Sequence, residues 1–304
     1  MLIPSITVIL STYNGAEYLP AQLKSLSDQS VRPHQLVLRD DGSRDASVDI
    51  VTSWGKEHNI DIQIVRGCER LGPARSFMAA LSAAAPADFY LFCDQDDVWL
   101  PDKIECALNS LRVFPEDMPH LYASRLYIVD TNLKKVGVSA LPSHLSFCSA
   151  VCESVLTGCT MAFNQALKTI ITRNKPNYLL MHDWWCYLVA TSFGIVTYDS
   201  TPHILYRQHS HNVVGAGPSG LKSAQIKFKR YFGFGRKQRS RQLKEFNSLF
   251  SNQLNANQKI IVEKLTCRDQ KLVHRLFIAL SVPIQRQSLI SQFFTRFSIL
   301  TDHF

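Results

Sequence analysis

Short apolar runs alternate with segments whose apolar residues recur every three or four positions through the first hundred residues. "SITVIL" is a buried-strand run, and Leu19, Leu23 and Leu26 then fall at helical spacing in "AEYLPAQLKSLSDQ". "QLVLR" predicts a second strand, followed by a helix carrying Val48, Val51 and Trp54. "DIQIV", "PARSFMAALSAAA" and "DFYLFC" continue the cycle. A βαβ series of this kind predicts an α/β fold, a mostly parallel sheet with helices on both faces. Beyond about residue 115 the pattern loosens. "LYASRLYIVD" predicts a strand, "MHDWWCYLVATSF" a helix, and "GIVTYD" and "HILYRQ" two short strands. After "GAGPSG" (215–220) the composition turns helical and basic, which marks the one boundary, near 216/217. No internal repeat is present.

Composition narrows the class. A chain of 304 residues with 46% hydrophobic and 19% charged content supports one large domain or two smaller ones. "MLIPSITVIL" lacks the basic region and cleavage site of a signal peptide, and no apolar stretch reaches about 18 residues. The eight cysteines contain no CxxC pair and several lie in apolar runs, so they read as small buried hydrophobes in a reducing cytoplasm. The net charge of +8 is uneven: residues 221–246 hold nine Lys or Arg against Glu245, interleaved with Phe228, Tyr231, Phe232 and Phe234. Such a stretch suits an anionic membrane surface, with single-stranded nucleic acid as the rival partner and a solvated helix face as the bland alternative. A cytoplasmic protein, peripheral on the inner face of the membrane, is the resulting expectation, with docking through residues 221–241.

Parallel sheets bind ligands outside the carboxyl ends of their strands. That rule selects "STYNG", "DDGSRD" and "DQDD", which follow the first, second and fourth strands. Asp94 and Asp96, two apart at a strand end, can aim oxygens at one hard cation, Mg²⁺ or Mn²⁺, with a substrate diphosphate completing its shell. An EF-hand is excluded, because Val98 and Trp99 stand where a ligand and Gly belong. Neither G-x-G-x-x-G nor a G-x-x-x-x-G-K-[ST] loop occurs. A nucleotide is instead held by its base, with Tyr13 against the ring and Asp40 or Asp41 accepting from a pyrimidine N–H. Gly42 favours the plainer reading of "DDGS" as an Asx-turn.

"VILSTYNGAEYLPAQLKSLSDQS", "LVLRDDGSRDAS", "RLGPARSF" and "FCDQDDVWLPDKI" together resemble the nucleotide-binding half of the inverting family 2 glycosyltransferases of the GT-A fold. "LTGCTMAFN", "HDWW" and "YRQHSHNVVG" extend the likeness, in an order similar to the bacterial rhamnosyltransferase-like subgroup. It covers roughly residues 4–216. The resemblance implies a GT-A domain over 1–216, with a nucleotide half to about 115 and an acceptor half after it, and a helical, basic region over 217–304.

Residue by residue, the resemblance implies that Ser11, Tyr13 and Asp41 hold the base, that Arg75 lies near the nucleotide, and that Asp94 and Asp96 form the DxD pair. Asp94 then sits near the ribose and Asp96 on the metal. Asp183 matches the catalytic base, against its alternative as a helix N-cap, and His209 matches a histidine completing the metal site, with His211 competing. The processive QxxRW motif is absent, which favours single transfer. The implied activity moves a sugar, rhamnose from a dTDP donor or another hexose from UDP, to a saccharide or lipid-linked hydroxyl. The rival classes are a nucleotidyltransferase, disfavoured by "STYNG" where a Gly-rich loop belongs, and a non-catalytic sugar-nucleotide-binding protein of the same fold.

Overall fold

The computed structural model describes residues 4–67, 69–208, 237–267 and 271–304. Four parallel strands come first: β1 (Ile6–Thr12), β2 (Gln35–Asp40), β3 (Asp61–Val65) and β4 (Phe89–Asp94). They are joined by α1 (Leu19–Ser27), α2 (Ser47–His58) and α3 (Pro73–Ala83). Pro lies in the first turn of α1 and of α3, where its missing N–H costs no bond, and α2 stops at Asn59 in the left-handed region (φ 55°). Next come β5 (Val98–Trp99), α4 (Lys103–Leu111), β6 (His120–Val129), β7 (Lys135–Val138), a 3₁₀ turn over Gly158–Thr160, β8 (Ala162–Asn164), α5 (Gln165–Arg173), α6 (His182–Phe193) and β9 (Ile195–Arg207). The nine strands among the described residues form one sheet in the order β3-β2-β1-β4-β8-β6-β9-β5, with β7 paired to β6.

Both faces of the parallel half are covered, which is why its strands read as unbroken apolar runs rather than alternating ones. Val8, Leu10, Leu36, Leu38 and Leu91 pack with Leu19, Leu23 and Leu26 of α1 and Trp54 of α2. Phe92 points the other way, and its ring meets that of Phe77 in α3 edge-on, with centroids 5.4 Å apart. Truncating a fully buried leucine such as Leu91 to alanine costs about 2–5 kcal/mol.

The two short strands expected over 194–199 and 203–208 are one strand of 13 residues, β9, parallel to β6 and antiparallel to β5. The register steps from Ser124↔Asp199 to Arg125↔Pro202, so Ser200 and Thr201 bulge out. That bulge interrupts the apolar pattern and makes one strand look like two.

The chain divides into two compact units. The first comprises residues 1–141, 156–173 and 181–214, and holds the whole sheet; the second comprises 142–155, 174–180 and 215–304. In the second unit, α7 (Gln238–Phe250) buries Leu243, Phe246 and Phe250, and α8 (Ala256–Thr266) starts at a capping box between Asn255 and Gln258. α9 (Leu272–Ser281) and α10 (Leu289–Leu300) follow. The segments drawn from mid-chain are sewn in by polar contacts. Arg286 pairs with Glu153 at 2.8 Å and donates to the Cys152 carbonyl, while Gln242 and Glu245 accept from the Leu180 and Asn177 amides. No helix among the described residues is long and apolar enough to cross a membrane. Of the described cysteines, 93, 152, 159 and 186 are buried and none is in a disulfide, whereas Cys267 is exposed. The stretch 221–241 lies outside the described residues apart from Lys237 to Arg241.

Candidate active site

Parallel pairing brings the chosen loops together. Ser11 stands opposite Asp94 on one side and Arg39 on the other, and Thr12 opposite Asp40, so the carboxyl ends of β2, β1 and β4 are level. Gln95 then locks the first loop to the fourth strand's end. Its Oε1 accepts from Thr12 Oγ1 at 2.6 Å and from the Tyr13 amide at 2.9 Å. Asn14, at φ 47°, turns the chain, and its side chain accepts from the Arg44 amide while its own amide donates to Ser43 Oγ. The loops after β1 and β2 are therefore one hydrogen-bonded unit. Tyr13 remains partly exposed, with the Arg70 guanidinium 3.8 Å from its ring centroid.

The two aspartates after β2 do different work. Asp40 Oδ2 accepts from the Gly42 and Ser43 amides, which is the Asx-turn, with Gly42 at φ 90°. Asp40 Oδ1 is buried and has no partner among the described residues, so it is an open acceptor at the strand end. Asp41 spends both oxygens on protein: Oδ1 takes the Leu71 amide at 2.7 Å and Oδ2 the Gly72 amide at 2.8 Å. It clamps the loop that leads into α3, whose exposed Arg75 lies in the first turn.

Asp94, Asp96 and Asp97 crowd the end of β4. Burial first, then the charges of Asp96 and Asp183, raise the Asp94 pKa well above the usual carboxylate range. Asp97 is fully buried and likewise raised well above the usual carboxylate range, by burial and then by Asp96 and Asp94. Its Oδ1 accepts from the Arg207 amide at 3.2 Å, and Arg207 Nε donates to the Asp96 carbonyl at 2.9 Å, so β9 braces the turn. Beneath it lies Lys103, wholly buried, its ammonium 3.7 Å from the Trp99 ring centroid and without a hydrogen-bond partner among the described residues. Burial pulls that ammonium down to about 8. At this strand end the ligand atoms that lie within 4.8 Å of one another are those of Asp94, Asp97 and Cys159, and the Asp96 carboxylate is not among them; a second such group, Asp102, Cys106 and His203, lies elsewhere. Cys159 is buried with its thiol held well above its ordinary pKa, which suits it to donate to Asp97 rather than to bind a hard cation.

Asp183 enters from α6. The N-cap is Met181, so Asp183 is the second helical residue, and its Oδ1 accepts from the Trp184 amide at 2.6 Å. Burial pushes its carboxyl up to about 6, against backbone hydrogen bonds that pull it down. Gly158 lets the 3₁₀ turn approach: a Cβ there would stand 2.6 Å from His182 Nε2. His182 is buried between Phe77, stacked at 4.0 Å, and Phe92, and burial lowers its pKa to about 3, so it is a neutral packing residue. Trp184 and Trp185 are both buried. The structure thus gathers Ser11, Asp40, Asp94, Asp96 and Asp183 around one strand-end site, with Tyr13 and Asp41 in its loops. His209 and His211 lie outside the described residues. Gln95, Asp97, Lys103, Cys159 and Arg207 escaped sequence reasoning as site residues, although "DQDDVWLPDK" contains three of them.

The Glycosyl transferase family 2 profile matches residues 7–123. The dTDP-rhamnosyl transferase RfbG of Shigella flexneri is 30% identical over 220 residues, spanning 69% of this chain and 75% of the relative. The chain belongs to glycosyl transferase family 2. Among solved structures, this glycosyltransferase resembles S. aureus TarS 1–349 in complex with UDP-GlcNAc (TM-score 0.57, 15% identity, 98% of this chain and 89% of that one). It also resembles the mannosyltransferase PcManGT from Pyrobaculum calidifontis in complex with GDP-Man and Mn²⁺ (TM-score 0.52, 17% identity, 99% and 75%). At these identities the likeness establishes the GT-A fold, and the glycosyltransferase has the mostly parallel sheet and C-terminal helices that the sequence predicts.

Proposed function

We propose that the glycosyltransferase transfers a sugar, with inversion, from a nucleotide diphosphate to a hydroxyl of a surface-polysaccharide or lipid-linked acceptor, and that the donor is dTDP-rhamnose. The observation that carries the chemistry is Asp183, a half-buried carboxyl raised to about 6 at a helix N-terminus and near enough to Asp94 to shift its titration. A carboxylate so placed is ionised at neutral pH yet basic enough to take a proton. The acceptor oxygen attacks the anomeric carbon, the bond from that carbon to the diphosphate oxygen breaks with its electron pair leaving on the diphosphate, and the acceptor proton passes to Asp183. The rhamnose assignment rests on the Shigella relative.

Asp40 Oδ1, buried and open, is the acceptor suited to a pyrimidine N–H, beside Tyr13, whose ring supports the base. Asp41 acts by holding the 71–72 loop. Ser11 and Arg75 flank the nucleotide.

A divalent cation fits this site. Asp94 and Asp97 carry raised pKa values because burial is compounded by their crowded charges, and a hard cation at Asp94 and Asp96 relieves that crowding. Asp94 and Asp96 would hold Mg²⁺ or Mn²⁺, which would supply positive charge to offset that of the diphosphate. Purified protein given dTDP-rhamnose, UDP-hexoses and GDP-hexoses with each cation is expected to turn over dTDP-rhamnose at least about tenfold faster than any other donor. Faster turnover of a UDP-hexose would replace the donor; no turnover of any sugar nucleotide would return the chain to the non-catalytic binding class.

A further inference from the structure

The second unit exposes more large apolar side chains than a free surface tolerates. On α9, Leu272, Val273, Leu276, Phe277 and Leu280 all face solvent, Val273 at 79%. At 100° per residue these positions share one arc of the helix, while Ile278 and Ala279 face inward and are buried. On α10, Leu289, Ile290, Phe293 and Phe297 form a second such arc, with Leu289 exposed at 85% and Phe293 at 65%, and Thr295, Ser298 and Ile299 lie buried behind it. The Arg296 guanidinium donates to the Ala279 carbonyl and ties the two helices together. Both helices thus turn an apolar face outward and a mixed one inward, the reverse of ordinary surface helices.

Charge says what covers these faces. From residue 270 to 301 the chain contains no Asp or Glu, but it contains Lys271, Arg275, Arg286 and Arg296. Arg286 is consumed by Glu153; Lys271 is exposed. Lys264 of α8 lies with its ammonium 5.1 Å from the exposed Phe277 ring centroid. Asp302, just beyond, pairs with Lys237 and lies close enough to Arg275 to feel its charge, so the cations left to the face are Lys271 and Lys264. An apolar face edged by these, with no acid on either helix, is complementary to an anionic bilayer, whose headgroups meet the cations while the acyl boundary takes the Leu and Phe side chains. A second copy of this chain is disfavoured as the occupant, because an isologous contact would set these cations against themselves. Neither helix spans a bilayer: at 10 and 12 residues they are about 15 and 18 Å long against a core of roughly 30 Å.

We infer that α9 and α10 are an interfacial anchor which docks the glycosyltransferase on an anionic lipid surface through Leu272, Val273, Leu276, Phe277, Phe293 and Phe297. These helices follow the basic stretch 221–241 in sequence, and the inference stands whichever sugar or acceptor the enzyme uses.

Flotation of the full chain with phosphatidylglycerol-containing vesicles and with phosphatidylcholine vesicles tests it. Binding is expected to the anionic vesicles, with a part surviving about 0.5 M salt, where the Debye length falls to roughly 4 Å and only apolar insertion persists. The triple variant Leu276→Ser, Phe293→Ser, Phe297→Ser is expected to lose at least tenfold in vesicle affinity with its circular dichroism unchanged. Should that variant misfold, Phe293→Trp serves instead: its fluorescence is expected to shift blue on anionic vesicles and to be quenched by brominated acyl chains. Vesicle binding by a folded triple variant equal to the parent's, complete release by salt, or an unshifted emission from the Phe293→Trp variant would each overturn the anchor. So would a parent dimer that the triple variant converts to monomer with vesicle binding intact, which would assign the face to a second copy.

Discussion

Replacing Asp183 by Asn separates catalysis from stability. The carboxyl is raised from 3.8 to about 6, largely by burial, so its ionisation is opposed in the folded protein by about two pKa units, or about 3 kcal/mol. The folded pKa lies above the unfolded one, so the unfolded chain ionises more readily and the folded state is penalised as pH rises. The penalty is absent below about pH 4, grows through pH 4–6, and is complete above it. Asn keeps the shape and can still accept from the Trp184 amide through its Oδ1, but it carries no charge. At pH 8 the variant should therefore be more stable by up to about 3 kcal/mol, a gain in melting temperature of roughly 6–12 °C for a unit of this size. At pH 4.5 the gain should largely vanish. Sugar transfer should meanwhile fall by about two to four orders of magnitude, with donor affinity little changed. Thermal melts at the two pH values, beside transfer and donor-binding assays, read all three quantities. A gain independent of pH, or an unstabilised variant that transfers normally, would show that Asp183 is neither a strained carboxylate nor the base.

Asp96→Ala should cut turnover at least about tenfold and raise the Mn²⁺ concentration needed for half-maximal rate; an unchanged Mn²⁺ titration would remove Asp96 from the metal site. Gly158→Ala sets a methyl 2.6 Å from His182 Nε2 and 3.5 Å from Asp183 Cβ, so it should cost about 1–3 kcal/mol and lower kcat more than it raises KM. Wild-type melting and kinetics in that variant would mean the 3₁₀ turn and α6 separate freely.

The parallel half was legible because burial on both faces writes itself as uninterrupted Val, Ile, Leu and Phe, and because such sheets carry ligands at their strand ends. That rule alone placed Asp40, Asp94 and Asp96. What it could not show was the division of labour within each loop. "DD" at 40–41 looks like two equivalent acceptors, yet one oxygen of Asp40 stays open while Asp41 is wholly occupied by two amides about thirty residues away. "DQDD" likewise hides that Asp97 turns inward toward Cys159 and the Arg207 amide. Lys103 reads as a surface residue in "LPDKI" and is in fact buried against Trp99. Long-range partners decide each of these, and a local pattern carries no trace of them.

The mid-chain segments sewn into the second unit have a consequence for how this protein is made and cut. "GAGPSG" invites truncation at residue 216, and the first unit owns every strand of the sheet. Such a fragment would still carry residues 142–155 and 174–180 but none of the helices that complete them. Glu153 would keep its charge without Arg286, and the amides of Asn177 and Leu180 would lose Glu245 and Gln242. Partly covered segments stripped of the helices they pair with expose new surface, so the shorter chain is a candidate for aggregation rather than a minimal enzyme. During synthesis the same residues wait on the ribosome for partners made up to 144 positions later, which at about 5–20 residues per second takes roughly seven to twenty-nine seconds. Completion of the second unit is therefore among the last events of folding, and a chaperone that shields residues 142–155 over that interval would raise the yield of intact protein.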